Sequence, residues 1–246
     1  MTLAYPSYSR HIASNGPLTF VSSEDLSFVI GAFLGDGSFV EDSAWHHHVK
    51  LAVRDRELAD AFNCSVAKIL RRRVNVVTVT HDVGKVYYES KYSSRPLGLF
   101  LKGPLEQLRS FVEHHSGAFL NGLFSADGCV AVSNSRVGLR VAVILSNSRL
   151  ELLSMVEEML RTHFDIHSKI YRGRRRGATW KYGGKTVVLR KDSYNLCIFR
   201  KQDIRTFDGR IGFVTRRKQD AAERAIHLID SLGRSRAAEV WRASFL

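Results

Sequence analysis

"VIGAFLGDG", residues 29–37, and "LNGLFSADG", residues 120–128, decide how this chain is read. Each is an apolar, small-residue run that stops at Asp-Gly, and the second follows the first by ninety-one positions. A glycine after a helix is a common cap and an aspartate beside it a common turn residue, so one copy carries little. Two copies carry more. Gly31 and Gly35 are four apart and share one helix face, as do Gly122 and Ala126. Small residues at that spacing let two helix backbones approach closely, so Gly31, Gly35, Gly122 and Ala126 are expected to form a helix–helix interface. That packing would bring Asp36 and Asp127 close together. A carboxylate at a helix C-terminus is electrostatically unfavourable, and two neighbouring carboxylates repel. A divalent cation offsets both costs, and hard oxygen ligands suit Mg²⁺.

Outward from the motifs the repeat continues. Each half reads helix, strand, strand, helix, strand, strand, helix. Strands come from alternation, with Val49, Leu51 and Val53 pointing one way and Lys50, Ala52 and Arg54 the other. Helices come from apolar spacing, as at Leu150, Leu153, Val156 and Leu160. The fold class is α+β. The expected organisation is an extension over 1–23, a first half over 24–110, a second over 111–232 and a tail helix over 233–246. The break between halves is expected within 103–116, where "GP" and "HHSG" interrupt the pattern.

The chain has 246 residues, 44% of them hydrophobic, and a net charge of +13. Of that excess, +11 lies in residues 111–246. Such a surplus favours a polyanionic partner through counterion release. Nine basic residues fall between 169 and 191: Lys169, Arg172, Arg174, Arg175, Arg176, Lys181, Lys185, Arg190 and Lys191. Arginine reads guanine bidentately or simply holds phosphate. Trp180 and Tyr182 lie among them, positioned to brace a hairpin or touch a sugar. No apolar run reaches the ~18 residues of a membrane helix, and no secretory signal opens the chain. Cys64, Cys129 and Cys197 are scattered and odd in number, which indicates neither a zinc site nor a disulfide framework. His46, His47 and His48 alternate faces on a strand and are not expected to chelate one ion. His114 and His115 sit between the halves. Tyr88 and Tyr92 are expected to pack cores.

The doubled motif resembles the nine-residue signature of the LAGLIDADG homing endonucleases in their single-chain, two-motif form. "VIGAFLGDG" keeps the third-place glycine and the final Asp-Gly but has Leu34 at the sixth place; "LNGLFSADG" has Ser125 there. The resemblance implies two pseudo-symmetric αββαββα halves, each with a four-stranded antiparallel sheet, together forming a saddle over the DNA major groove. It implies that Asp36 and Asp127 bind metal, aided by the backbone at Gly35 and Ala126, and that both DNA strands are cut to leave 3′ overhangs. "RIGFVTRRKQ", 210–219, resembles the segment that brings a basic residue to the catalytic centre, with Lys218 the best match. Arg54 takes a comparable place in the first half, and aligning Leu58 with Leu150 makes Ser146 its repeat mate. Strand parity then gives a DNA-facing set of His48, Lys50, Ala52 and Arg54, mated with Arg140, Ala142, Ile144 and Ser146.

The expected protein is a monomeric, intracellular, Mg²⁺-dependent DNA endonuclease, encoded by an intron rather than an intein, with Mn²⁺ or Ca²⁺ able to substitute in binding. Two other classes share the signature: an RNA-splicing maturase, which would bind intron RNA, and a DNA-binding regulator without catalysis.

Overall fold

The computed structural model describes residues 2–5, 18–41, 47–82, 84–182 and 185–243. The chain forms two compact units, residues 1–126 and 127–246. Each contains a four-stranded antiparallel sheet with helices against one face.

The first unit opens with a hairpin of β1 (Thr2–Tyr5) and β2 (Leu18–Val21) within the segment expected to be an extension. Helix α1 (Glu24–Asp36) is capped by Ser23, whose side chain accepts from Leu26 N at 3.2 Å, and two acids occupy its first turn. Every residue from Leu26 to Phe33 is buried, which is why the segment lacks a polar stripe. Asp25 accepts from Ser65 Oγ at 2.8 Å and pairs with Lys68, tying α1 to α2 (Arg56–Leu70). The sheet runs β3 (Gly37–Glu41), β4 (His47–Val53), β6 (Lys85–Ser93), β5 (Thr78–Asp82) in spatial order. Its helix-facing side holds Val49, Leu51 and Tyr92, all at 1% exposure or less. The Tyr92 hydroxyl accepts from Asn75 N at 2.9 Å and donates to Asn63 O at 3.1 Å, so burial of this polar end is satisfied. Burial also raises its pKa, the Asn75 bond opposing it. Helices α3 (Arg95–Leu101) and α4 (Leu105–Val112) and a 3₁₀ turn at Glu113–His115 lead to α5 (Ser116–Asp127).

Helix α5 belongs to the second repeat by sequence, yet up to Ala126 it packs within the first unit. The reason is the close glycine packing anticipated from the motifs. A Cβ on Gly31 would run into the Phe119 carbonyl and lie 2.9 Å from Leu123 N. One on Gly122 would run into the Phe28 carbonyl and lie 3.0 Å from Ala32 N. Gly35 and Ala126, one turn further on, are half-buried.

In the second unit the sheet order is β7 (Gly128–Ser135), β8 (Gly138–Asn147), β12 (Tyr194–Ile198), β9 (Lys169–Arg172). Helix α6 (Leu150–Phe164) covers it with Leu152, Leu153, Met155, Val156, Met159 and Leu160. Leu150, expected on that face, is the first helical residue and is 42% exposed. A separate hairpin, β10 (Thr179–Tyr182) with β11 (Lys185–Val188), is inserted between β9 and β12. Helix α7 (Lys201–Arg210) precedes α8 (Arg216–Ala243), which breaks at Gly233 (φ 71°). Beyond the break, Ala237 and Ala238 pack on Leu139, with Trp241 alongside. The expected tail helix thus extends the sheet's covered side; residues 244–246 of that segment, like His46, lie outside the described residues.

Candidate nucleic-acid interface and motif carboxylates

The motif residues sit where helix passes directly into strand. In the first unit Asp36 is exposed at the end of α1 and Gly37 starts β3. A Cβ at Gly37 would fall 2.5 Å from Phe33 Cα, so the ninth motif place admits only glycine. In the second unit Asp127 is half-buried, and Asn147 Nδ2 donates to its Oδ2 at 2.7 Å. Asn147 is itself held, its Oδ1 accepting from Arg149 N at 2.9 Å. Sequence reading missed Asn147, because a lone asparagine at a strand end looks like any turn residue.

Lys218 is only 7% exposed, near the start of α8, rather than solvated at a helix N-terminus. Its segment is rigidly placed. Gly212 adopts φ 62° and donates to Phe207 O at 2.8 Å, and Phe213 N donates to Gln219 Oε1 at 2.9 Å. Lys218 Nζ lies 6.0 Å from the centre of the Phe213 ring. It also acts on Cys129, two residues past Asp127. Desolvation raises the Cys129 thiol above its ordinary pKa, while Lys218 first and Arg217 second pull it down. Helix α8, which carries Lys218, packs on β7, the strand that follows the second motif. Arg54 is exposed just beyond β4.

Strand register revises the repeat alignment. Gly37 faces Leu51 in one sheet and Gly128 faces Leu145 in the other. Helices α2 and α6 each have 15 residues, which matches Arg56 with Leu150 and Leu58 with Leu152. The mates of His48, Lys50, Ala52 and Arg54 are thus Ala142, Ile144, Ser146 and Ser148, displacing the expected set by two residues. The cause is the longer β7–β8 hairpin, which letter matching between the helices did not register. Under this alignment Val53, 6% exposed, occupies the place of Asn147.

The uncovered face of the first sheet carries His48, Lys50, Glu89 and Lys91, with Lys50 ion-paired to Glu89. In the second sheet the same face carries Arg140 and Ser146, both exposed, and Ser146 Oγ donates to Asn195 Oδ1 at 2.7 Å. Arg172 does not share it. It is registered with Tyr194, on the opposite parity, and pairs with Asp192, whose carboxyl is held below its usual range by the Arg176 N–H and by Arg172. Arg174, Arg175, Arg176, Lys181 and Lys191 are exposed around the inserted hairpin. Lys185 begins β11, and its side chain, like those of Trp180 and Tyr182, lies outside what is described. His47 approaches Glu41 at 3.5 Å while His48 points to the other face, as alternation requires.

For a metal, each motif ends in a carboxylate, a hard oxygen donor, and in the second unit that carboxylate is oriented by the Asn147 amide. Among the described residues no group of three or more His, Cys, Asp or Glu clusters to form a complete protein cage. Among the same residues no helix is long and apolar enough to cross a membrane.

Comparison with known proteins agrees with this architecture. A model of the LAGLIDADG-like domain matches residues 115–212, and one of the WhiA LAGLIDADG-like domain matches residues 26–88. An uncharacterized protein of Methanocaldococcus jannaschii is 28% identical over 210 residues, spanning 85% of this chain and 73% of that protein. The structure of I-DmoI in complex with DNA and Ca superposes with a TM-score of 0.56 at 17% identity, covering 83% of this chain and 99% of that one. Full-length DUF199/WhiA from Thermatoga maritima gives 0.54 at 18% identity, covering 85% of this chain and 61% of that one. At such identities the superpositions establish the fold alone.

Proposed function

The chain is a single-chain LAGLIDADG protein with one motif in each half, and from that premise we propose that it is a site-specific double-stranded DNA endonuclease. The observation that carries the reading is the second motif: Asp127 held by Asn147, with Lys218 buried in α8, the helix packed on the strand that follows the motif. A carboxylate fixed in direction and an ammonium taken out of water are costly for stability alone. Together they suit a phosphodiester.

In this reading the protein is an intracellular homing endonuclease, intron-encoded and monomeric, that leaves 3′ overhangs. Asp36 and Asp127 hold Mg²⁺, with the backbone at Gly35 and Ala126 assisting, and Mn²⁺ or Ca²⁺ substitutes for binding. The bound cation supplies Lewis-acid stabilisation of the phosphate and a more acidic water. Asn147 keeps the Asp127 carboxylate aimed. Lys218 stabilises charge that develops on the phosphate oxygens, a donor fixed beforehand and so costing little reorganisation. Arg54, exposed on the first half, holds backbone phosphate. His48, Lys50, Arg140 and Ser146 read the major groove, and the inserted arginines hold phosphate outside it.

A second reading is supported by the two halves matching different domain models. It is a DNA-binding protein on the same scaffold that does not cut. One experiment separates them. Purified protein is incubated with a random-sequence duplex library and Mg²⁺, and cut and bound fractions are sequenced separately. Cut molecules with a common site support the endonuclease. A bound consensus with no cutting selects the second reading, and selective retention of intron RNA with no DNA consensus selects a maturase.

A further inference from the structure

The uncovered faces of the two sheets differ in chemistry at matched positions. Lys50 and Lys91 are directly paired across β4 and β6, and Glu89 joins Lys50. At the corresponding places of the second sheet stand half-buried Ile144 and buried Cys197, paired across β8 and β12, with Ala142, also buried, at the place of His48, so that Ile144 is the accessible part of this row. Ala131 faces Ala142 across β7 and β8 and extends the apolar strip. At its rim Tyr171 and Phe199 are 42% and 49% exposed, their rings 5.9 Å apart and edge to face. Register puts Tyr171 on this same face, opposite Asn195. Lys169 Nζ sits 5.5 Å from the Tyr171 ring centre, and Arg140 is exposed on the same face.

An apolar strip with cations at its margin fits a partner that is apolar within and anionic at its edges. The major groove over thymines has that profile, because the thymine C5-methyl projects into it between two phosphate rows. The charged first face fits guanine and cytosine edges instead, since Lys donates to guanine O6 and N7 and Glu accepts from cytosine N4. The +11 surplus of residues 111–246 favours a nucleic acid over an acidic protein, whose carboxylates are discrete rather than continuous.

We infer that the second sheet selects its half of the target by apolar contact with thymine methyl groups through Ile144, Tyr171 and Phe199, and that the first sheet reads its half through Lys50, Glu89 and Lys91. This rests on the DNA-binding reading above. The target is therefore chemically lopsided, with thymines concentrated under the second sheet.

Deoxyuridine tests it, being thymine without the methyl. Sites bound by the full chain are selected from random duplex DNA with Ca²⁺, which avoids dependence on cleavage. Thymines are then replaced by deoxyuridine in one half-site at a time. Each methyl touched by the protein should be worth about fourfold in Kd, the free energy of burying one methyl-sized group, in one half only. The Tyr171→Ala/Phe199→Ala variant should lose that sensitivity, while Lys50→Gln should keep it and lose discrimination in the other half. The altered residues are exposed or half-exposed, so folding is checked by the melting temperature and by retained non-specific binding. Indifference to deoxyuridine in both halves overturns the inference while leaving DNA binding intact. Sensitivity that survives the aromatic substitutions overturns it as well. Failure to select any DNA overturns it together with the reading it rests on, and then an acidic protein ligand for this face is the alternative.

Discussion

Asp36 and Asp127 end helices of like sequence and length, but their surroundings are unlike. Asp36 is exposed, and the strand position that would reach it is the buried Val53. Asp127 is half-buried and receives an amide hydrogen bond from Asn147 at that same strand position. The second unit adds a lysine buried in the helix that packs on β7 and an inserted basic hairpin, which the first lacks among its described residues. The duplicated backbone fixes where a carboxylate sits. It does not fix the carboxylate's surroundings, which differ in the side chain at the end of the neighbouring strand. Two halves can thus share a fold and differ in the surroundings of the equivalent acid.

The likeness breaks first at the acids themselves. Asp36→Asn and Asp127→Asn change charge with little change in volume. Each should lower double-strand cleavage by on the order of 10²–10³-fold, while DNA binding persists or tightens as a negative charge facing phosphate is removed. Plasmid cleavage beside a gel shift measures both. Wild-type cutting by either variant would show that aspartate to be only a helix end.

Where the halves are alike, perturbation should be alike. Gly31→Ala and Gly122→Ala each push a methyl into a facing backbone carbonyl, which cannot yield as a side-chain tip does. Each should destabilise by about 1–3 kcal/mol, read as a melting temperature lowered by roughly 2–4 °C per kcal/mol. Unequal costs would mean that the crossing is not centred on the two glycines.

Where they differ, the strands should separate. Asn147→Ala removes the amide hydrogen bond to the Asp127 carboxylate, and removing such an orienting partner costs about 10–100-fold in activity. One strand should slow and nicked plasmid should accumulate. Val53→Asn does not transfer the device. It buries an unmatched amide, so its expected result is lower stability without a matching gain in rate. Equal slowing of both strands in the Asn147 variant would refute the division of labour.

The smallest effect is sought at the insertion. Replacing Arg174, Arg175 and Arg176 by Gln should reduce the slope of log Kd against log salt by up to about 2.7, near 0.9 for each phosphate no longer neutralised. Arg172→Gln should change it little, because that side chain is committed to Asp192. Equal effects from both would remove the distinction drawn between them.

By itself, the sequence determined the repeat, the helix and strand order, the helix crossing at Gly31 and Gly122, and the two terminal aspartates. These are local facts: apolar period, small residues at one spacing, and a turn that only glycine permits. Tertiary structure decided the rest. Register set Val53 against Asn147 and shifted the mate of Arg54 from Ser146 to Ser148, because hairpin length is absorbed between strands and leaves no periodic trace. Packing put α5 with the first unit, buried Lys218 and turned Arg172 off the uncovered sheet face toward Asp192. Each depends on which distant residue lies opposite, and a chain read one residue at a time does not carry that information.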